Sequence, residues 1–510
     1  MSRDSWCHSV HASYFNRLPQ PPDPRRRAGL RALLSLITAG TLAACGGGQP
    51  TAPDSACSAI EGPSPLGAAQ ADLSRTLRPL SLDPVTGRFD AASAATLPAW
   101  LDARSTRIVG MGEATHGTKE FNDLRAAIVM ELAARAERPI VFLLEDEFVR
   151  GAVLAAYLDN GAGSAASGLR ALRAGTWKNR ELALLMERLR ALRTAYPAVQ
   201  IVFRGVDMQD FDAIWAAVGT IAALPAMDAV ADVAALKSEA DAYVDAYNLM
   251  YEAYTTGGMF DYGPVVQRRT TILAGLQNLR TRLEAAANAR LPTAERARLL
   301  MVVRIAEQNT WKVDPLANAI ALYGGDADIK AWLDRVAATV PSADIAPDPL
   351  ETRDRALAEN AEALVNLEGA NALGILWAHN GHVARGAVFG RQVAGGHLRD
   401  RLGTGYRVLG TDFYAGSFVA SSNGNPGTFS IGASSASYFA NAAARICSHA
   451  GFLDLTAVEG TLASALTQPF DLHFVGAEYD PAYPPMRGVL GALYDGFVFV
   501  RDTSPSQPLN

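Results

Sequence analysis

Glu113 and His116 stand three residues apart in Gly112-Glu-Ala-Thr-His-Gly117. Imidazole is the side chain best matched to taking a proton from water near neutral pH. A carboxylate beside it fixes the tautomer and stabilises the imidazolium that forms, and Glu113 or Glu145 can fill that role. Glu145 opens a second acidic cluster, Glu145-Asp-Glu147, and Asp207 follows an apolar run in Arg204-Gly-Val-Asp207. Two more histidines close a fourth run, in His379-Asn-Gly-His382. They are suited to hydrogen-bonding a carbonyl, acting as a second base, or binding metal. With His116 and a glutamate they make up the donor types of a His/carboxylate metal set. Glu113-x-x-His116 lacks the paired histidines of an HExxH helix, however, so metal-free acid–base hydrolysis is the preferred reading. Arg125 lies beside an apolar stripe, where a guanidinium requires a carboxylate partner. That partner is a site glutamate or a substrate. No phosphate loop ending in Lys-Ser/Thr is present, and no Gly-x-Ser-x-Gly stands in a strand–turn–helix setting. Cys447 has no evident histidine companion.

These residues sit at the ends of short, continuous apolar runs: Arg107–Gly112, Pro139–Leu144, Gln200–Phe203 and Ala372–Ala378. Such runs suit strands buried on both faces of a parallel sheet. A helical stripe of Phe121, Leu124, Ile128 and Leu132 separates the first two, and one of Leu182, Leu185, Leu189 and Leu192 separates the next. The βαβαβ order predicts an α/β fold with a mostly parallel central sheet flanked by helices. Ligands of such sheets bind beyond the carboxyl ends of the strands, which would gather the four polar clusters on one rim. Residues 210–350 carry long helical patterns and no strand pattern, and are expected to form a helical insertion covering that rim. The tyrosines and phenylalanine at 243, 247, 251, 254, 260 and 262 are read mainly as packing. Runs at Tyr406–Gly410, Leu472–Val475 and Phe497–Val500 are expected to complete the core.

With 510 residues and 49% hydrophobic content, the chain is enzyme-sized and has ample core. A net charge of -6 argues against a nucleic-acid partner. Arg25–Arg27 precede an apolar run, Leu30–Ala44, too short for a permanent span and followed by Cys45 in Leu42-Ala-Ala-Cys45. This is the pattern of a secretory signal ending in a bacterial lipobox, with Cys45 as the lipidated residue. It predicts an exported protein anchored to a membrane and facing the periplasm or the outside. Cys57 and Cys447 would then remain, either paired or as two free thiols. The expected organisation is a signal peptide with lipobox over 1–45 and a flexible tether over 46–70. The α/β core follows in two parts, 71–209 and 351–510, around the helical insertion.

Taken in order, these segments resemble the erythromycin esterase family. The matching pieces are Gly112–Gly117 with Glu120-Phe121 and Arg125, Phe142–Glu145, Trp177 with Glu181, and Gly205–Gln209. Further along come Arg353–Asn360, Trp377–Arg385, Gly395–Arg399 and Tyr494–Phe497. The resemblance implies a hydrolase that cleaves small-molecule esters, including macrolide lactones, with water as nucleophile and no cofactor. His116 would be the general base, supported by Glu113 and Glu145. His379 and His382 would orient water or polarise the ester carbonyl, and Arg125, Arg353 and Asp207 would bind substrate. Leu357 stands where the family commonly has methionine, and the helical insertion has no matching segment. The alternatives are a metal-dependent hydrolase or peptidase of related fold, and a haem- or ligand-binding lipoprotein without catalysis.

Overall fold

The computed structural model describes residues 60–509, apart from 84, 85, 103, 104, 136, 225, 226, 228 and 286–290. Eleven strands are found among them: β1 (Arg78–Pro79), β2 (Ile108–Met111), β3 (Ile140–Glu147), β4 (Ile201–Asp207), β5 (Leu373–Trp377), β6 (Tyr406–Ser422), β7 (Asn425–Ile431), β8 (Ala450–Asp454), β9 (Phe470–Leu472), β10 (Met486–Gly488) and β11 (Gly496–Thr503). The main sheet runs β1-β8-β11-β6-β2-β5-β3-β4, with β7 folded back on β6. Every pair from β11 across to β4 is parallel. The pairs made by β8, β1 and β7 are antiparallel. The fold is thus the expected α/β arrangement, a mostly parallel sheet between layers of helices.

The sequence forms this sheet because its strands are apolar on both sides. All four residues of β2 and all five of β5 are buried. Helix Lys119–Arg135 lays Phe121, Leu124, Ile128 and Leu132 on one face, and helix Arg180–Ala195 adds Leu182, Leu185 and Leu189 to the same core. Helix Pro349–Leu367 covers the other face with Ala361, Leu364 and Val365. Each fully buried Leu, Ile or Phe contributes roughly 1.5–3 kcal/mol of transfer free energy, so both faces must be sealed.

The connections place β5 and β6 on opposite sides of β2. The strand order therefore reverses at β2, and a crevice opens beyond its carboxyl end, where ligands of such sheets bind.

Three expectations need correction. The run Leu472–Val475 does not join the main sheet: β9 stops at Leu472 and pairs with β10 in a separate ribbon. Phe474 and Val475 line the crevice instead, followed by Gly476 at φ 61°. Strand β8, which lies between β1 and β11, was not expected, being short and interrupted by Gly451. The helices between 211 and 337 do pack together, but they build their own core beside the sheet. Among the described residues none between 211 and 349 lines the crevice, so they do not cover its rim.

The end of the expected tether is also held down. Leu66 and Ala69 are buried, and the Arg445 guanidinium donates to the carbonyls of Ile60, Gly62 and Pro63. Cys447 is disulfide-bonded. Cys7, Cys45 and Cys57, with the rest of the signal and lipobox pattern, lie outside the described residues. No helix among the described residues is long and apolar enough to cross a membrane.

Candidate active site

The loop after β2 is pinned to its neighbours before it reaches His116. Gly112 N–H donates to the Leu409 carbonyl at 2.8 Å, and Ala114 N–H to Thr411 Oγ1 at 3.2 Å. Gly117 then lies flat against β6, where an added Cβ would overlap the Val419 carbonyl. Only glycine permits that approach, which explains the residue after His116.

Glu113 is wholly buried and serves two partners. Its Oε1 bonds His116 Nδ1, and its Oε2 accepts from Arg125 Nη2. Trp377 Nε1 lies 3.4 Å from the same oxygen, and the Arg125 guanidinium stacks 4.4 Å above the Trp377 ring. With Nδ1 committed, Nε2 is the nitrogen that His116 offers to the cavity it lines. The Trp177 edge packs 4.9 Å from the His116 ring and fixes its tilt.

A second network lies across the cavity. Arg353, on helix Pro349–Leu367, donates from Nε and Nη2 to Asp207 and from Nη2 to Glu145 Oε1 at 2.8 Å. Asp207 also accepts from Met208 N–H and Gln209 Nε2. Glu145 Oε2 accepts the His379 backbone N–H at 2.9 Å. His382 reaches Asp354 Oδ1 from Nδ1 at 2.6 Å and Glu145 Oε1 from Nε2 at 3.2 Å.

The charges follow from these contacts. Burial would lift the Glu145 carboxyl, yet cationic His382 and Arg353 hold it well below the usual carboxylate range. Burial disfavours a charged His382, but Asp354 and Glu145 outweigh it and raise the ring to about 10. Arg353 Nη1, 3.0 Å from His382 Nε2, is a like charge opposing that protonation, and the two carboxylates win. His379 is the opposite case. Burial, reinforced by the neighbouring His116 and His382, holds it well below the ordinary histidine value and hence neutral. Its Nδ1 accepts Gly381 N–H at 3.2 Å, and Nε2–H is directed 3.4 Å to the Ala114 carbonyl. Three histidines thus occupy three states: a cation, a neutral ring with both nitrogens turned to backbone, and His116 with one nitrogen facing the cavity.

His116, Glu145, His379, His382, Arg353 and Asp207 all line one cavity of about 210 Å³. The strand-end positions of His116, Glu145, Asp207, His379 and His382 placed these on one rim, Arg353 came from the family resemblance, and the fold brings all six together. Glu113 and Arg125 do not line it. Arg125 is buried behind Glu113 rather than aimed at a ligand, and Arg353 and Asp207 spend their polar atoms largely on each other. None of the aromatic residues between 243 and 262 reaches the cavity; Tyr243 and Tyr262 instead donate to buried Asp314. Among the described residues no three His, Cys, Asp or Glu side chains converge as a metal-ligating group.

Sequence reasoning gave no role to Asp354, which holds His382 and caps Ala394 N–H at 3.1 Å. Its position directly after Arg353, near the start of a helix, was the available signal. Asp146 was also passed over. Burial pushes its carboxyl up to about 6 against the N–H groups of Ala174, Arg173 and Glu147 that it accepts.

Fold and site together define an α/β protein with a histidine–carboxylate centre at the carboxyl ends of parallel strands. The erythromycin esterase family matches residues 140–503. That is more than half of the chain, and the protein belongs to this family, which indicates a hydrolase of the esterase type. A comparison with curated proteins finds no match. Among solved structures, a Bacillus cereus protein is 21% identical with a TM-score of 0.65, covering 86% of this chain and 98% of its own. A succinoglycan biosynthesis protein is 18% identical with a TM-score of 0.62, over 86% and 98%. An erythromycin esterase variant in an open conformation is 15% identical with a TM-score of 0.55, over 85% and 100%. At these identities the three likenesses speak to the fold.

Proposed function

We propose that the protein hydrolyses a carboxylic ester by general-base activation of water at His116. The observation that carries this reading is the His116 ring itself, held at Nδ1 by buried Glu113 with its other nitrogen left to the cavity. Water is deprotonated by Nε2 as its oxygen attacks the ester carbonyl. Glu113 stabilises the imidazolium that forms. The imidazolium then gives its proton to the departing alkoxide, leaving an acid and an alcohol. His382, a cationic ring whose N–H groups go to Asp354 and Glu145, is suited to stabilise the developing oxyanion by its charge alone, and neutral His379 forms the wall beside His116. Arg353, Asp207 and Arg125 act by holding the carboxylates in place. The reading uses no metal or other cofactor: the ring nitrogens of His379 and His382 are committed to protein partners, which supports His116 as the activating group.

A cavity of about 210 Å³ is smaller than the roughly 300–1,000 Å³ typical for drug-sized ligands. A small ester, or the ester-bearing end of a larger molecule such as a macrolide, fits that space. The Arg25–Arg27, apolar and Leu42–Cys45 pattern supports export and attachment to a membrane by a lipid on Cys45.

The test is a screen of aryl esters, sugar esters and macrolides with His116→Ala in parallel. His116→Ala should lower kcat by at least about 10²-fold. Equal turnover by both proteins would overturn the mechanism.

A further inference from the structure

A third histidine–carboxylate pair lies outside the cavity and takes no part in the proton transfers above. Asp412 on β6 is wholly buried, and its Oδ1 accepts from His473 Nδ1 at 2.7 Å and from Phe413 N–H at 2.8 Å. The His473 ring is stacked between Phe413, 4.3 Å away at 21°, and Tyr438, 4.6 Å away at 27°. A ring clamped on both faces and tied at one nitrogen has a single orientation, so the backbone carrying it is fixed against β6.

The residues that follow give this tether its consequence. Phe474 packs edge-on against His379 at 4.4 Å. Val475 N–H donates to the Ala114 carbonyl at 2.9 Å, and the Gly476 carbonyl accepts His116 N–H at 3.2 Å. Residues 474–476 therefore touch the backbone on both sides of Thr115 and the face of a second site histidine. They lie between β9, which pairs only with β10, and Ser421 of β6, whose N–H donates to the Ala477 carbonyl at 2.9 Å and whose carbonyl accepts Tyr479 N–H at 2.7 Å. The residue before Asp412, Thr411, holds Ala114 N–H through its hydroxyl, so β6 fastens the same loop from two sides.

We infer that Asp412 and His473 are a positioning pair for the site: their hydrogen bond seats residues 473–476 on β6 and thereby sets the His116 backbone and the Phe474 wall of His379. The effect on turnover rests on the esterase reading above; the seating itself does not. An apolar residue would fill the slot between Phe413 and Tyr438 but would leave Asp412 buried without the imidazole donor and loosen the strap at its first residue, next to the Val475 and Gly476 bonds.

The experiment compares His473→Leu, which keeps bulk and loses the donor, with His473→Asn, which carries an N–H the same number of bonds from Cα. Steady-state ester hydrolysis and amide hydrogen exchange are measured on both and on the wild-type chain. His473→Leu should lower kcat by about 10- to 100-fold with little change in KM, the scale of a sub-ångström to ångström misplacement. The amides of His116 and Val475 should exchange faster, while those of β3 stay protected. His473→Asn should stay within about threefold of wild type in kcat. Unchanged kcat and unchanged His116 protection in His473→Leu would overturn the inference, as would equal losses in the two variants. Failure of the esterase reading has a separate signature, a wild-type chain without His116-dependent turnover, and the exchange data decide the seating even then.

Discussion

Replacing Asp354 by Asn removes one of the two carboxylates that keep His382 charged, at almost constant volume. The imidazolium of His382 is raised from 6.5 to about 10. At about 1.4 kcal/mol per tenfold change in proton affinity, this favours the folded, protonated state by roughly 5 kcal/mol. The ring is largely buried and its shorter hydrogen bond goes to Asp354, so about half of that, some 2–3 kcal/mol, is assigned to Asp354. The sign is that of a raised cation. The stabilisation is complete below the unfolded value near 6.5 and is lost as pH rises through about 10. Asp354→Asn should therefore be less stable than wild type by about 2–3 kcal/mol at pH 6, and the difference should shrink as pH approaches 10. The alkaline limb of kcat should move down by about two pH units, because a neutral His382 no longer stabilises the oxyanion by its charge. Denaturant unfolding at a series of pH values and a pH–rate profile on an aryl ester check both parts. A stability difference that is the same at pH 6 and pH 10 would refute the argument that Asp354 acts through the charge of His382.

Arg353→Leu leaves buried Glu145 and Asp207 without their shared cation and should cost about 3–5 kcal/mol at neutral pH in denaturant unfolding. Because both carboxyls are held low in the folded chain, this loss should diminish as pH falls and they protonate. Gly117→Ala forces β6 away from the His116 loop and should destabilise by about 1–3 kcal/mol while also lowering kcat, a pair of effects read from thermal melts and steady-state kinetics. On the proposal of export and a lipid on Cys45, Cys45→Ala should release the protein from membranes with unchanged turnover, as fractionation and an activity assay would show; continued attachment would reject the lipid anchor.

The strands were legible where residues are apolar on both sides. Ile140 to Leu144 and Leu373 to Trp377 have no polar face to place against water, so a covered parallel sheet was the available solution. The same reasoning failed at Leu472–Val475, where Leu472 ends a separate ribbon and Phe474 and Val475 line the site. It failed again for the expected cover over the rim, because amphipathic helices declare that they bury a face but not against what. The pocket wall comes instead from irregular segments around Arg173, Val388 and Phe474, which carry no period to read.

The amino-acid order by itself determined which groups stand at strand ends, and strand direction was enough to send Glu113, His116, Glu145, Asp207 and His379 to one rim. Their division of labour was decided only by tertiary structure. Two histidines of one intrinsic chemistry become a cation and a neutral ring, because proton affinity depends on burial and on charges a few ångströms away, and a third is turned by its carboxylate partner to line the cavity. Those neighbours, Asp354 beside His382 and Glu113 beside both His116 and Arg125, are chosen by how helices and loops pack against the sheet.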